Sequence, residues 1–347
     1  MNYDELSEGN NVKAIFIAEA GINHDGNLET AKRMVDAAVT ADADYVKFQS
    51  FKAKKLVTPT ALTSTYIDKG SREGESFRDL LKRLELDEAA HHELLAYCKS
   101  RDIKFLSTAF DEESFDFLLS LGIDVVKVAS GDLTHIPYLK HMASAGLPMV
   151  VSTGMATLGE IEEAVAAITA AGNNKIVLLH CISWYPADIE TTQLRYIETL
   201  RSAFGFPVGY SDHTLGINMT IAARALGAVV LEKHFTLDRT QFGPDHAASI
   251  EPDEMIKLLT GIREVEAGLG SPVRSFCDKE LGQRRVHRRS IVVRESIKAG
   301  QVFSNINLVI KRPGIGISPK HFEAILGKRA TTDIDPEALL QWSDIEP

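Results

Sequence analysis

The sequence predicts an α/β protein, a (β/α)8 TIM barrel followed by a small, separate β-rich module. Three observations lead there. Eight short β-branched segments alternate with longer stretches of helical period between about residue 14 and residue 270. Gly122, Gly146, Gly172 and Gly227 stand where those helices should stop and turn back toward a sheet. Beyond residue 270 the alternation ends, and short strands with many glycines and one brief helix take over.

The strand segments are "AIFIAEAG", "YVKFQSF", "KFLSTAF", "VVKVAS", "PMVVSTG", "IVLLHC", "PVGYSD" and "AVVLEKHF". Amphipathic stretches such as "NLETAKRMVDAAVTA" and "TLGEIEEAVAAITAAG" separate them, with apolar residues three and four apart. Eight strands, each followed by a helix, over about 250 residues, is the count of a (β/α)8 barrel. An open doubly wound sheet uses the same alternation but ranks second. "AGINHDGN", after the first strand, lacks the glycine spacing of a dinucleotide fingerprint. The connection from about 55 to 85 contains "TPTALTSTYIDKGSREGES" and is unusually long. It reads as a mobile polar excursion on the active-site side, with a short helix after it. These boundaries give a barrel at 1–270, a linker at 271–289 and the β-rich module at 290–347. The basic run Arg284–Arg289 reads as a solvated tether before a binding patch.

Composition narrows the function classes. With 44% hydrophobic and 25% charged residues, the 347-residue chain is that of a soluble globular protein with a sizeable core. A net charge of −10 argues against a general nucleic-acid binder, yet leaves a small anionic substrate open. No apolar run approaches the roughly 20 residues of a membrane span. "MNYDELSEGNN" lacks the features of a signal peptide, and Cys98, Cys181 and Cys277 lack zinc-site spacing, so a cytoplasmic location is expected. Cys181, in an apolar strand, reads as a buried filler before a nucleophile.

A barrel gathers its reactive groups at the C-terminal ends of its strands. The first strand ends with Glu19, the second offers Lys47 and Gln49, the fourth Lys127 and Ser130, and the fifth Ser152. Ser183 and Tyr185 follow the sixth; Ser211, Asp212 and His213 end the seventh; Glu232 and His234 end the eighth. A spacing of two puts Lys47 with Gln49, and Glu232 with His234, on one side, and turns Lys233 outward as a structural residue. Singly, each is a polar strand tip. Jointly they make chemical sense. His213 and His234, on adjacent strands, can coordinate one divalent cation and leave positions for water and substrate oxygens. Lys127, Ser130 and Ser152 can approach one phosphate, the lysine as a point charge and the hydroxyls as directional donors. The competing reading makes Lys47 and Lys127 interior ion pairs with Glu19 or Glu232. Asp245, in the "GPDH" turn, fits a site or an ordinary Pro-Asp turn equally. His91 and His92, at a polar helix start, read as surface residues.

The ordered motifs "IAEAGINHDGN", "VKFQSF", "KVASGD", "VSTGM", "YSDHT", "EKHFT" and "GPDH" resemble the sialic acid synthase family, whose members make nine-carbon nonulosonic acids. "RRSIVV" and "KRPGIGIS" resemble the antifreeze-like (SAF, β-clip) module that follows the barrel in that family. The resemblance covers nearly the whole chain. It implies a metal-dependent condensation of phosphoenolpyruvate (PEP) with an N-acetylated amino-sugar aldehyde, releasing phosphate. An acceptor of N-acetylmannosamine type, giving a sialic acid, ranks first. The alternative is a 2,4-diacetamido-2,4,6-trideoxyhexose, giving legionaminic or pseudaminic acid.

By the same resemblance the metal is Mn2+, with Mg2+ or Co2+ as alternatives, held by His213 and His234 and polarising the aldehyde oxygen. Lys47, Lys127, Ser130, Ser152, Ser183 and Ser211 would contact PEP. Gln49, Asp132, Tyr185 and Asp245 would lie around the sugar. Glu19 would handle a proton at the reacting centre, beside Lys47 and Glu232, with Glu232 supporting the metal site or its water. The resemblance further implies a domain-swapped homodimer in which Arg312 reaches the acyl group of the sugar in the partner's barrel. Two positions depart from the family pattern: Asp132 stands where glutamate is common, and Ser183 where some members carry asparagine. Both leave the sugar's identity open. A non-catalytic glycan-binding protein and a Schiff-base lysine aldolase are the competing readings from other classes.

Overall fold

The computed structural model describes residues 1–7, 12–63, 65–68 and 70–347, apart from the side chains of Thr65 and Tyr66. It divides into two compact units, residues 1–270 and 271–347. In the first, parallel strands close into a barrel in chain order. They are β1 (Ile15–Gly21), β2 (Tyr45–Ser50), β3 (Lys104–Ala109) and β4 (Val126–Val128). β5 (Met149–Ser152), β6 (Ile176–Cys181), β7 (Val208–Asp212) and β8 (Val230–His234) complete the circle, and β8 pairs with β1.

Helix α1 (Tyr3–Ser7) precedes the barrel and α2 (Leu28–Thr40) follows β1. The β2–β3 connection holds α3 (Ala53–Leu56), α4 (Thr65–Asp68), α5 (Phe77–Leu84) and α6 (Glu88–Ser100). One helix follows each later strand: α7 (Glu112–Ser120), α8 (Ile136–Ala143), α9 (Leu158–Ala170), α10 (Tyr196–Phe204), α11 (Asn218–Ala225) and α12 (Pro252–Leu269). Local chemistry sets their ends. Asn27, Asp87, Asp111 and Thr157 each accept a hydrogen bond from a first-turn backbone N–H, satisfying a donor that the helix leaves free. Gly122 and Gly227 take φ of 80° and 88° just past helix ends, where a side chain would be strained.

The period-2 alternation sorts each strand into two faces. Phe16, Ala18, Val46, Phe48, Val126, Val151 and Leu178 join the helices in the large outer core. Ile17, Tyr45, Leu106, Val125, Val150, Val177, Leu179 and Val230 form the cluster inside the barrel, which Leu6 of α1 extends. Gly209 belongs on that inner face by necessity. A Cβ there would lie 2.2 Å from the Val230 carbonyl oxygen and 2.5 Å from a Leu179 methyl.

Two expectations need correction. His91 is buried, not at the surface: its Nε2 lies 2.6 Å from Ser50 Oγ, because the face of α6 that carries Ala90, Leu94 and Cys98 carries it too. His92 is exposed. The long β2–β3 connection is polar in composition but not in packing. Leu56, Ile67, Phe77, Leu80, Leu81 and Leu84 turn inward onto Ile22, Phe51 and Phe110. The sequence also offers the excursion around Tyr66 to Phe77 as the part that decides the acceptor; of it, the Tyr66 side chain lies outside the described residues.

The second unit has its own core of Ile291, Val293, Ile297, Phe303, Leu308, Ile325 and Leu340. Its helix α13 (Asp278–His287) occupies residues that the sequence leaves as a linker; it buries none of its side chains. Strand β9 (Ser290–Val293) pairs antiparallel with β10 (Leu308–Lys311), and α14 (Phe322–Ile325) follows. Among the described residues, no helix is long and apolar enough to cross a membrane.

Candidate functional site

Two residues beyond the apolar interior, every strand changes character. The inward positions become Glu19, Lys47, Thr108, Lys127, Ser152, Cys181, Ser211 and Glu232, all buried. Parallel register sets Glu19 beside both Lys47 and His234, Thr108 beside Lys127, and Ser211 beside Cys181 and Glu232. Above this layer lies a cavity of about 430 Å³. Glu19, Lys47, Gln49, Lys127, Ser130, Ser152, Ser183, Tyr185, Ser211, His213, Glu232, His234 and Asp245 all line it. Two expected residues are not among them. Asp132 lines a neighbouring recess with His135 and Tyr138, and Arg312 belongs to the second unit, where it is exposed.

The lysines and carboxylates form one buried network. Lys47 Nζ lies 3.0 Å from Glu19 Oε2 and 3.5 Å from Glu232 Oε2, and donates to Thr108 Oγ1 at 3.0 Å. Lys127 donates to Ser152 Oγ at 2.7 Å and lies 3.6 Å from Glu232 Oε1, which accepts from Ser211 Oγ at 2.9 Å. Gln49 donates to the other oxygen of Glu19 at 3.3 Å. The interior ion pairs are therefore present. They do not exhaust the carboxylates, since Glu19 Oε2 and Glu232 Oε2 are buried without an aligned hydrogen-bond donor.

The two carboxyls are driven apart. Burial lifts Glu19 well above the usual carboxylate range, against the pull of Lys47 and with the repulsion of Glu232. Burial acts on Glu232 too, but Lys127, Lys47 and the Ser211 hydroxyl outweigh it and hold it low. One carboxyl is thus suited to carry a proton and the other to stay ionised.

Beside Lys127, the ends of β4, β5 and β6 gather three hydroxyls. Ser130 Oγ accepts from the Gly154 amide at 3.1 Å, and Ser183 Oγ is buried with no hydrogen-bond partner. Gly154 permits this: a Cβ there would lie 2.2 Å from Ser183 Oγ and 2.8 Å from Ser130 Oγ. A cation ringed by directional donors suits an oxyanion such as phosphate.

Next to β6, at the ends of β7 and β8, the His213 and His234 rings lie 5.4 Å apart, with the Tyr185 ring 4.1 Å from His213. His213 Nδ1 lies 2.7 Å from the Ile182 carbonyl oxygen; as the donor there, it leaves Nε2 with its lone pair. His234 Nδ1 is buried without a hydrogen-bond partner, 3.7 Å from Asp245 Oδ2. Burial, then His213 and Lys47, push the His234 pKa well below its usual value, so the ring is neutral as ligation requires. Among the described residues no group of three or more His, Cys, Asp or Glu has metal-site geometry. Two converging imidazoles, one with an unpartnered nitrogen, fit an open divalent-cation site rather than a closed structural one.

Asp245, open between site and turn on the sequence alone, lines the cavity, and burial raises its pKa to about 6. Its loop is fixed by Ser249 Oγ, which donates to the Asp245 carbonyl at 2.7 Å. His246 also holds it, 2.7 Å from Thr236 Oγ1 and 3.4 Å from Asp25 Oδ2. Sequence reasoning missed Thr108, although its spacing of two from Leu106 is the inward signal. It also missed that Cys181, buried as expected, faces the cavity, 3.8 Å from His213 Nδ1.

Comparison with known proteins identifies the family. The NeuB family matches residues 34–274 and the SAF domain matches residues 288–346. The N,N'-diacetyllegionaminic acid synthase of Campylobacter jejuni is 44% identical over 331 residues, covering 95% of this chain and 99% of that one. The N,N'-diacetyllegionaminic acid synthase of Legionella pneumophila is 43% identical over 342 residues, covering 97% and 96%. The crystal structure of N-acetylneuraminic acid (sialic acid) synthetase from Leptospira borgpetersenii, in complex with citrate, matches with a TM-score of 0.70 at 34% identity, covering 79% of this chain and 90% of that one. The chain therefore belongs to the NeuB family of PEP-dependent nonulosonic acid synthases, with a SAF domain at its C-terminal end.

Proposed function

We propose that the protein is an N,N'-diacetyllegionaminic acid synthase, condensing PEP with a 2,4-diacetamido-2,4,6-trideoxyhexose. The single observation that carries the chemistry is the convergence of Lys127 with its hydroxyls, the Glu19–Lys47–Glu232 network and the two imidazoles on one cavity. On the sequence alone N-acetylmannosamine ranks first as acceptor. The relatives favour the diacetamido alternative, at 44% and 43% identity against 34% for the sialic acid synthetase.

In this reading Lys127, Ser130, Ser152 and Ser183 bind the phosphate of PEP, with Lys47 and Ser211 against the rest of that substrate. His213 and His234 hold a divalent cation, Mn2+ first, which supplies Lewis-acid polarisation of the aldehyde oxygen when bound. PEP C3 attacks the aldehyde carbon. Glu19, whose pKa burial raises to about 7, gives its proton to the aldehyde oxygen as the new C–C bond forms. Water adds at C2 and returns a proton to Glu19. The C2–O bond to phosphate then breaks as the C2 hydroxyl passes its proton to the departing phosphate, leaving a ketone. Glu232 stays ionised and keeps both lysines charged and placed. Gln49, Tyr185 and Asp245 orient the sugar. A domain-swapped homodimer, with Arg312 serving a partner's acceptor, belongs to the same proposal, as does a cytoplasmic location.

The test is an assay with PEP, Mn2+ and each aldose, reading phosphate release. The highest kcat/KM is expected with the 2,4-diacetamido sugar; preference for N-acetylmannosamine would return the assignment to sialic acid. Binding of PEP with no phosphate release in the presence of any of these aldoses would favour a non-catalytic glycan-binding protein. Activity that survives a chelator and is trapped by borohydride would favour a Schiff-base aldolase.

A further inference from the structure

The polar groups of the cavity come from the barrel strands and the loops at their ends. One long connection contributes differently. Between β2 and β3 the described lining residues are Leu56, Ile67, Phe77, Leu80, Leu81 and Leu84, and not one has a polar side chain. Phe77, Leu80, Leu81 and Leu84 are spaced three and four apart, so α5 presents one apolar face. That face is fixed against the site loops at two glycines. A Cβ on Gly26, after β1, would lie 2.4 Å from the Arg83 carbonyl oxygen. A Cβ on Gly70 would lie 2.3 Å from Pro244 N, next to Asp245. Arg83 closes the arrangement, reaching the Gly70 carbonyl oxygen at 3.2 Å and Glu75 at 3.0 Å.

Resting on the proposed function, we infer that this wall receives the C4–C6 end of the acceptor and selects a methyl over a hydroxymethyl at C6. The phosphate cradle occupies the β4–β6 side and the imidazoles stand at β7 and β8, so the aldehyde end is committed there. Apart from Gln49, Tyr185 and Asp245, which orient the sugar, much of the remaining lining is this apolar wall. A hydroxyl pressed against it would lose water without gaining a partner, whereas the methyl of a 6-deoxy sugar loses nothing polar. The same wall suits the methyl of a 4-acetamido group. The connection between β2 and β3 is then the specificity element, while the strand ends carry the chemistry.

The test compares two aldoses that differ only at C6: a 2,4-diacetamido-2,4,6-trideoxyhexose and its counterpart with a C6 hydroxyl. With the full-length enzyme, PEP and Mn2+, the deoxy sugar should have the higher kcat/KM by about 10- to 100-fold. Leu56→Gln and Phe77→Gln, at half-buried positions, should reduce that ratio about tenfold while leaving the KM for PEP within about twofold; Phe77→Leu should preserve it. If a glutamine variant does not fold, the wild-type sugar pair still decides. Equal kcat/KM for the two sugars, or variants that slow both equally, would overturn the wall assignment and leave the proposed function standing. Turnover of neither sugar would overturn both.

Discussion

Glu232 and Lys233 are neighbours on β8, yet they belong to two different kinds of buried charge. Lys233 points outward, beneath the helices, and donates to Asp212 at 2.7 Å and to the Thr214 carbonyl at 2.8 Å. Asp212 also accepts from Tyr210, from the Thr214 amide and hydroxyl, and from Thr220. That cluster is closed: both carboxylate oxygens have donors. Glu232 points inward, into a network where Ser183 Oγ and His234 Nδ1 lack hydrogen-bond partners and Glu19 Oε2 and Glu232 Oε2 share the single Lys47 ammonium. A buried polar group left unpaired costs free energy. The outer cluster spends its charges on holding the barrel, and the inner one keeps capacity for a ligand. The difference between structure and function on this strand is one residue wide.

Substitutions on the two faces should separate those roles, beginning with the inner one. His213→Ala and His234→Ala should each cut metal-dependent turnover by about 1000-fold or more, with far-ultraviolet circular dichroism unchanged. Unchanged turnover in both would remove the cation assignment. Across the strand, Lys233→Ala should cost about 3–5 kcal/mol of stability in urea unfolding, because it strands Asp212 as a buried charge. The folded fraction should keep the wild-type KM for PEP. A normal midpoint with weakened PEP binding would reverse the assignment of the two faces.

Lys127→Ala tests a subtler contrast. Its loss should raise the apparent KM for PEP by about 10- to 100-fold, the effect of a charge-assisted contact worth about 1.5–3 kcal/mol. A purely structural lysine would lower the melting temperature and leave that constant alone. The smallest effect belongs far from both networks, at the capping box of α9, where Thr157 and Glu160 cap each other. Thr157→Ala should cost about 1 kcal/mol in thermal unfolding and change no kinetic constant.

Much of this was legible in the sequence because barrels translate spacing into position. Strand count and helix-ending glycines gave the fold, and the step of two from Tyr45 to Lys47 to Gln49 gave a common inward face. What stayed hidden depends on contacts between distant segments. His91 sits among polar residues in sequence but meets Ser50 in space. The polar "TPTALTSTYIDKGSREGES" hides that Ile67 within it, and Leu56, Leu80, Leu81 and Leu84 on either side of it, join one apolar cluster, since composition reports the outer face as well. Asp132 follows Ser130 by two, but a short 3-10 helix at 130–132 breaks strand alternation and carries its carboxyl to the neighbouring recess.

The central claim is that His213 and His234 together hold a divalent cation beside the lysine-lined cavity. Electron paramagnetic resonance of Mn2+ titrated into metal-stripped enzyme tests it without reference to turnover. The account predicts one tightly bound Mn2+ per chain in the wild type and its loss in His213→Ala and in His234→Ala. Equal Mn2+ binding by the wild type and both variants would contradict it.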